Sequence, residues 1–401
     1  MALTNKLNAI GDAIREKTGK TELLTLEQMP IEIESIQGGG EGLEREEITM
    51  NYSYINGWLS DTTSSNVTYA WDTSADKPYY PMFLKTLKYM DLRVSCLDRM
   101  AYEATKITDE LKGMTITLTS TTGDSDRTFY TCSNLTTLPE INGTLGGVFA
   151  YFCYGCVRLT DVSGLKNLKV NTTSTSAGSD GNGKQRFFES CYALRNIPSE
   201  FLLEAGRYPK SEYSSASTSV RSGQWFNSYT FYNCFSLDEV VNYGVSTQGV
   251  NSSGTFGSHL YHCGRLKRYT FETNEDGTPI ERSLSSQTID FSQYVGYLSS
   301  SDATKLQTYG GFTTDTQVID DATYQALKDN PDYWTTDINY ARYNHDSAVE
   351  TINSLPVNTS NASTIKFKGA AGALTDGGAI NTLTEEEIAV AAAKGWTVTL
   401  V

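Results

Sequence analysis

The chain has few histidines and none of the common catalytic signatures. Three of its 401 residues are histidine, His259, His262 and His345. It contains no Gly-x-Ser-x-Gly nucleophile elbow and no glycine-rich phosphate-binding motif with its lysine. His259 and His262 flank a repeated segment, where histidine more often packs or faces solvent than binds a ligand. The sequence therefore predicts no catalytic residue, no cofactor and no metal site.

Long apolar runs and positive charge are also scarce. No run approaches the roughly 18 residues that cross a bilayer, and residues 1–7 lack the basic start and apolar stretch of a secretory signal. Lys and Arg number 32 against 47 Asp and Glu, a formal net charge of −15. Such a charge repels phosphate backbones and anionic headgroups. We therefore expect no membrane insertion, no nucleic-acid binding and no export through a secretory signal.

The chain does contain one spacing that recurs five times. An apolar residue is followed at intervals of three by a cysteine, a leucine and a second apolar residue. A fixed apolar template that recurs every few dozen residues is typical of a solenoid, whose units stack on each other. The predicted repeat core comprises Phe129, Cys132, Leu135, Cys156, Leu159, Phe188, Cys191, Leu194, Phe231, Cys234, Leu237, Cys263 and Leu266.

The same spacing predicts the local structure of each copy. A Phe and a Cys three residues apart fit one inward-facing turn of helix or 3-10 helix. The leucine then leads into a short strand, as in residues 135–139. We therefore predict an α/β repeat fold, an irregular solenoid of short strands and helical or 3-10 turns, preceded by a small helical N-terminal anchor.

The seven cysteines are interpreted as buried thiols, because six of them occupy template positions and cysteine behaves there as a small hydrophobe. A ladder of disulfides is the alternative. Cys153 and Cys156 have the two-residue gap of a redox or zinc motif. Cys153, however, fills the position that Phe holds in other copies, and no second Cys pair or His pair stands near it. A packing role is therefore favoured.

Two short amphipathic helices are predicted over residues 1–37. Gly19 ends the first helix, and Thr25 with Gln28 forms a capping box for the second. A unit of this size is too small to be stable alone, so we expect it to dock on a partner or to oligomerise. The apolar stripes of the two helices, spaced by three and four residues, are Leu3, Leu7, Ile10, Ile14, Leu26, Met29, Ile33 and Ile36.

Composition divides the rest of the chain into five segments. Residues 38–45 are a Gly-rich linker, and 46–126 are a β-rich module or an N-terminal cap of the solenoid. The repeats occupy 127–272, an irregular aromatic-rich segment 273–345, and a C-terminal α/β cap 346–401. In that cap, Thr384 and Glu387 predict a capping box for a helix that Gly395 ends. Further strands are predicted at 114–119, 364–368 and 396–401, and further helices at 320–329 and 347–355.

Tyrosine is abundant, with 25 residues. Exposed Tyr and Trp provide rigid contact area for sugars or proteins, whereas Tyr130, Tyr154 and Tyr232, beside template positions, are expected to fill the interior. Polar inserts at 171–184 and 211–223 are either tolerated insertions or variable binding loops. The candidate receptor contacts near these inserts and in the irregular segment are Tyr208, Tyr213, Trp225, Tyr229, Tyr333 and Trp334.

The Phe–Cys–Leu template of residues 127–272 resembles the bacterial leucine-rich repeats called BspA-like, which occur in adhesive surface proteins. It departs from them in its irregular repeat length and in its last copy, where Leu260 replaces Phe and Tyr269 an aliphatic residue. Residues 383–386 and 393–397 are similar to the ends of such repeat proteins encoded by phages and prophages. Residues 10–19 look like the opening of many tailed-phage structural proteins. The resemblance implies an irregular leucine-rich-repeat solenoid displayed on a virion.

These resemblances imply a head or tail fibre or an adhesin, made in the host cytoplasm and assembled into the virion. Its expected partners are other virion proteins, through residues 1–37, and a glycan or protein of the host surface. Homo-oligomers are expected, a trimer among them, because virions are symmetric.

Two other functions are weighed against this one. A surface adhesin of the bacterium itself is opposed by the missing secretory signal. A glycan-cleaving enzyme needs only two carboxylates about 5–9.5 Å apart, and acidic residues cluster in two places, but charged loop clusters are usually solvated. We expect a protein without enzymatic activity. The two clusters are Glu272, Glu275 and Asp276, and Asp315, Asp320 and Asp321.

Overall fold

The computed structural model describes residues 11–12, 14–16, 46–50, 59, 87–171, 186–207, 229–245, 259–282, 284, 286–292, 295–296, 313–314, 317–318, 343–359, 362–367 and 383–401. Its strands are β1 (Glu46–Met50), β2 (Met90–Val94), β3 (Thr115–Leu118), β4 (Glu140–Leu145), β5 (Leu168–Val170), β6 (Glu239–Tyr243), β7 (Arg268–Phe271), β8 (Glu281–Arg282), β9 (Thr288–Asp290), β10 (Thr313–Thr314), β11 (Gln317–Val318), β12 (Val357–Asn358), β13 (Ser363–Phe367) and β14 (Trp396–Leu400). The helices are α1 (Ser199–Gly206), α2 (His345–Ser354) and α3 (Glu385–Ala393), with 3-10 turns at Leu87–Tyr89 and Ser163–Leu165.

The first five strands form one parallel sheet in chain order. Ile116 of β3 lies opposite Leu92 of β2 and Ile141 of β4, and all three side chains are buried. Parallel neighbours need a crossover connection, and the crossover between β3 and β4 carries the first predicted copy of the template. Strands β1 to β3 precede that copy in the chain, yet they belong to the same sheet as β4 and β5.

Successive copies of the template are joined by the same backbone hydrogen bonds. The N–H at the first template position, here called the Phe position, donates to the carbonyl just before the Phe position of the next copy. These N···O distances are 2.7 to 3.1 Å at every step, as between Phe129 and Phe152. The N–H two residues further on donates in the same way, as from Thr131 to the carbonyl of Tyr154 at 2.7 Å. The copies therefore lie side by side in chain order, and together they are called the stack below.

The five template cysteines occupy equivalent places in the stack. Each Sγ donates to the carbonyl at the Phe position of the preceding copy, with S···O distances of 2.8 to 3.1 Å. All seven cysteines of the chain are buried thiols, and burial raises the pKa of Cys153 to about 11. A thiol that stays protonated is a poor nucleophile and a poor metal ligand. All seven cysteines are thus buried and form no disulfide, in keeping with the predicted packing role.

A sixth copy precedes the five that the sequence reveals. The thiol of Cys132 donates to the carbonyl of Ala101, which therefore stands at a Phe position. Ala104 and Ile107 follow at the cysteine and leucine positions, and all three of these side chains are fully buried. Alanine replaces both Phe and Cys in this copy, so only the spacing of the template remains.

Each copy begins with tight turns, and the prediction of a helical or 3-10 turn followed at once by a strand needs correction. The N–H of Cys132 bonds the carbonyl of Phe129, but Thr131 between them has a φ of 51°, which a right-handed helix cannot contain. The strand predicted at 135–139 is also misplaced. Thr137 forms one isolated bridge, and β4 begins after Pro139, which has no N–H to donate.

The inward side chains of the stack form a continuous core. Every predicted repeat-core residue is at most 1% exposed. The ring of Phe152 stacks on that of Phe187 with centroids 4.6 Å apart, and Phe188 stacks on Phe231 at 6.2 Å. Burying one such side chain contributes about 1.5–3 kcal/mol, so neighbouring copies stabilise each other.

Helix α1 lies between β5 and β6 and contacts both strands. Just beyond its end, the Arg207 guanidinium binds the carboxylate of Glu272, with 2.9 Å between Nε and Oε1. Glu272 is 3% exposed and also accepts a hydrogen bond from the N–H of Val245 at 3.0 Å. This partly buried ion pair ties the helix to the pair of strands β6 and β7.

The C-terminal part closes on the last strands of the stack. Helix α2 packs against β7, and Thr351 Oγ1 donates to the carbonyl of Tyr269 at 2.6 Å. Strands β9, β13 and β14 form a parallel sheet in the order β14-β13-β9. The capping box of Thr384 and Glu387 at α3 is confirmed, and Gly395 follows that helix with a φ of 80°. The helices and strands predicted in the described part of this segment lie within two residues of α2, α3, β13 and β14.

Candidate functional site

The residue that follows each Phe position forms a column along the surface of the stack. The Phe position points into the core, so the next residue is turned outward. The tyrosines of this column are half-buried. In chain order the six members, called the tyrosine column below, are Tyr102, Tyr130, Tyr154, Glu189, Tyr232 and Tyr261.

Neighbouring rings of the tyrosine column stack face to face. The centroids of Tyr130 lie 5.1 Å from those of both Tyr102 and Tyr154, with interplanar angles of 5° and 9°. Tyr232 and Tyr261 stack at 4.8 Å and 6°. Because the faces of an inner ring are covered by its neighbours, its exposed part is the ring edge with the hydroxyl group. The column therefore offers rings with centroids about 5 Å apart within two groups, Tyr102 to Tyr154 and Tyr232 with Tyr261.

Three hydroxyls of this column have a raised pKa and stay protonated near neutral pH. Burial raises the pKa of Tyr102, Tyr154 and Tyr232, and the nearby Glu189 carboxylate raises it further for Tyr154 and Tyr232. A protonated phenol both donates and accepts hydrogen bonds. The column can thus bond to ligands that carry hydroxyl groups.

A second column runs beside the first, two residues before each Phe position. The Arg186 guanidinium lies 4.3 Å from the ring centroid of Tyr229 and 5.7 Å from that of Tyr151, and Arg127 lies 5.2 Å from Tyr151. These are cation–π distances. Every member has a positive φ, between 47° and 61°. The members, called the arginine column below, are Arg99, Arg127, Tyr151, Arg186 and Tyr229.

The two columns meet at an ion pair. Glu189 is the one member of the tyrosine column without a ring, and it is 6% exposed. Its Oε2 accepts a hydrogen bond from Arg186 Nη1 at 2.7 Å. Burial raises the pKa of Glu189, while Arg186 acts in the opposite direction. Arg127 pairs in the same way with Asp126 at 2.5 Å. The charges of Arg127 and Arg186 are thus matched by adjacent carboxylates.

Of the predicted receptor contacts, the structure describes only Tyr229, which is half-buried in the arginine column. Tyr208, Tyr213, Trp225, Tyr333 and Trp334 lie outside the described residues, as do the two polar inserts apart from Asn171.

The expectation that Tyr130, Tyr154 and Tyr232 fill the interior is wrong, since all three are half-exposed members of the tyrosine column. The tyrosine column itself was missed. Its signal was a tyrosine directly after the Phe position in four of the five visible copies.

The predicted N-terminal stripe is largely outside the described residues. Ile14 is helical and 5% exposed, and a neighbouring ion pair joins Arg15 to Asp12. The other stripe residues, which are not described, are Leu3, Leu7, Ile10, Leu26, Met29, Ile33 and Ile36.

Of the histidines and acidic residues singled out above, His259 and Glu272 are buried and Asp276 is exposed. His259 is 1% exposed, and its Nε2 lies 3.3 Å from the hydroxyl of Tyr269. Glu272 is held by Arg207, and Asp276 accepts hydrogen bonds from Thr278 within a turn, which lowers its pKa.

The described residues contain neither a metal-binding cluster nor a membrane-spanning helix. Within those ranges no group of three or more His, Cys, Asp or Glu side chains could hold a metal ion. No helix in the same part of the chain has the length and apolar content that a bilayer crossing requires. The second acidic cluster, Asp315, Asp320 and Asp321, lies outside the described residues.

No protein-family model, curated protein or solved structure matches the chain. The assignment to BspA-like leucine-rich repeats and the likeness to tailed-phage proteins therefore stay predictions. The geometry of the two columns is the remaining basis for a functional argument.

Proposed function

We propose that the chain is a non-enzymatic structural protein of a tailed-phage virion, a head or tail fibre or an adhesin, which displays a leucine-rich-repeat solenoid for attachment to the host surface. The observation that carries the attachment role is the pair of half-exposed columns on the stack. The sequence resemblances of residues 10–19 and of the C-terminal tail support the virion assignment.

The stack is suited to presenting a contact surface. Each copy is fixed to the next by two backbone hydrogen bonds and, at the template cysteines, by a thiol–carbonyl bond. Stacked repeats give extended binding surfaces. Tyrosine adds large contact area at low conformational-entropy cost, because it has only two side-chain torsions. The columns thus combine a rigid support with side chains that favour binding.

Residues 1–37 are proposed as the attachment to the particle. An apolar stripe on so short a helical segment needs a partner to cover it. Other virion proteins, or the same segment of neighbouring copies in a homo-oligomer, would supply that partner. The protein would be made in the host cytoplasm and reach the virion by assembly.

The test is immunogold labelling of intact phage particles that carry either the full chain or a chain lacking residues 1–37. We expect label on the first particles and none on the second. A double substitution, Leu7→Asp with Ile14→Asp, keeps the length of the chain and should also abolish labelling. Circular dichroism of both purified variants checks that the repeats remain folded.

Two outcomes would contradict the proposal. Normal labelling of particles that carry the shortened chain would refute the anchoring role. Label on the envelope of uninfected host cells, with none on particles, would instead identify a surface adhesin of the bacterium.

A further inference from the structure

We propose that the tyrosine column binds an extended, uncharged polysaccharide whose chain runs along the stack, with one sugar unit for each copy of the template. This inference rests on the proposed attachment function and names the chemical class of its receptor.

The spacing of the column favours a glycan over a peptide. Its rings follow each other at 5.1, 5.1 and 4.8 Å, close to the length of one sugar unit in an extended chain. An extended peptide advances by roughly 3.3 Å per residue, or roughly 6.6 Å between side chains on one face. A peptide would therefore lose its register with the rings after a few copies, whereas a glycan keeps it.

The chemistry of the column also fits sugars. Each tyrosine presents an apolar ring edge beside a hydroxyl that donates and accepts hydrogen bonds. A sugar unit carries the matching combination of C–H groups and hydroxyls. Because both faces of Tyr130 are covered, as is one face each of Tyr102 and Tyr154, contact at these copies occurs from the side of the column.

The charge of the molecule favours an uncharged polymer. The net charge of −15 opposes the approach of anionic polysaccharides. Arg127 and Arg186, which lie beside the tyrosine column, are already paired with Asp126 and Glu189. No strong local excess of either charge therefore remains at these copies to select an ionic ligand.

Glu189 divides the column into two groups of rings. Its carboxylate lies near enough to Tyr154 and Tyr232 to raise the pKa of both hydroxyls, and Arg186 holds it in place at 2.7 Å. At this copy the column has a nearly buried carboxylate and no ring, so the contact surface is interrupted there. Glu189 is therefore the position that sets the register of the glycan along the column.

The test measures binding of the purified full chain to uncharged glycans, namely insoluble β-glucan, β-mannan and amylose. Alginate serves as the anionic comparison and polyproline as the extended peptide. The variant replaces Tyr102, Tyr130 and Tyr154 by Phe, which keeps the stacked rings and removes only the hydroxyls. Tyr89→Phe, a half-buried tyrosine outside the column, is the matched control.

We expect at least one uncharged glycan to bind the wild type and the control equally and the triple variant roughly tenfold or more weakly, because three hydrogen bonds are lost. Unchanged binding by the triple variant would overturn the proposal. So would binding only to alginate or only to polyproline, or no binding to any uncharged glycan.

Adhesion of the labelled protein to host cells, measured in parallel, separates the two proposals. Cells that bind the protein while the uncharged glycans do not would refute the glycan class and leave the attachment function standing. If the protein binds neither the host cells nor the uncharged glycans, the attachment function is refuted as well.

Discussion

Individual residues in the repeats adopt backbone conformations that few side chains tolerate. The residue two positions after each Phe position has a positive φ in all six copies. Glycine takes this conformation at no steric cost and asparagine at little, whereas a β-branched residue is strained there. The residues found at this position are Glu103, Thr131, Gly155, Ser190, Asn233 and His262. Thr131 is thus the residue least suited to its place.

Replacing Thr131 by Asn should stabilise the protein by about 0.5–1 kcal/mol, because Asn relieves the strain of the left-handed conformation at φ 51°. Urea denaturation of the two proteins measures the difference. Thr121→Asn, at an exposed threonine outside the positive-φ set, should change stability by less than about 0.5 kcal/mol. A Thr131→Asn variant no more stable than the wild type would show that the turn is not strained.

The residue pattern revealed part of the site and concealed the rest. Phe and Cys mark the five visible copies, but Ala101 and Ala104 carry no distinctive chemistry, so the sixth copy appears only through its hydrogen bonds. The tyrosine after the Phe position is visible in the sequence. Its exposure was not predictable, because it depends on left-handed residues such as Thr131 that no composition rule identifies.

Helices and strands were predicted well where local signals act alone. The capping box of Thr384 and Glu387 spans only four residues, and this local signal alone determines where α3 starts. Helix α1 was missed, because its N-cap is Pro198 and no side chain caps it. The strand after the first visible copy lies later than predicted, because Pro139 cannot donate to the strand ladder and β4 begins after it.

The two C-terminal helices are joined through His345 at the start of α2. Its Nδ1 lies 3.2 Å from Asp346 Oδ1 and its Nε2 3.1 Å from Glu387 Oε2. Glu387 also accepts the N–H of Thr384 at 2.8 Å and so caps α3. Hydrogen bonds to Asp346 and Glu387 raise the pKa of His345 above its ordinary value of 6.5.

This contact makes the stability of the C-terminal segment depend on pH. A raised pKa in the folded state means that the stabilisation is fully present below about pH 6.5 and is lost as the pH rises through the folded value. The thermal unfolding midpoint of the wild type should therefore decrease as the pH is raised from about 6 to about 8.5. His345→Gln should show a smaller fall over the same interval. If the unfolding midpoints of the two proteins change identically with pH, the contact of His345 with Asp346 and Glu387 does not stabilise the protein.

The molecule as a whole keeps a constant spacing between its copies despite unequal connections. Successive template cysteines are 24, 35, 43 and 29 residues apart in the chain. The thiol–carbonyl distances nevertheless stay between 2.8 and 3.1 Å. The added residues therefore leave the stack undisturbed, as expected when loops vary on a rigid scaffold.

The proposed function depends on copies that stack in chain order. The sulfur atoms of these copies can be located by long-wavelength anomalous diffraction from crystals of the native protein. We predict a row of five sulfurs with neighbours about 5 Å apart, because adjacent strands of a sheet lie about 4.8 Å apart. In order along the row they belong to Cys132, Cys156, Cys191, Cys234 and Cys263. Sulfur positions scattered through the molecule, with no such row, would contradict the stack and with it both columns.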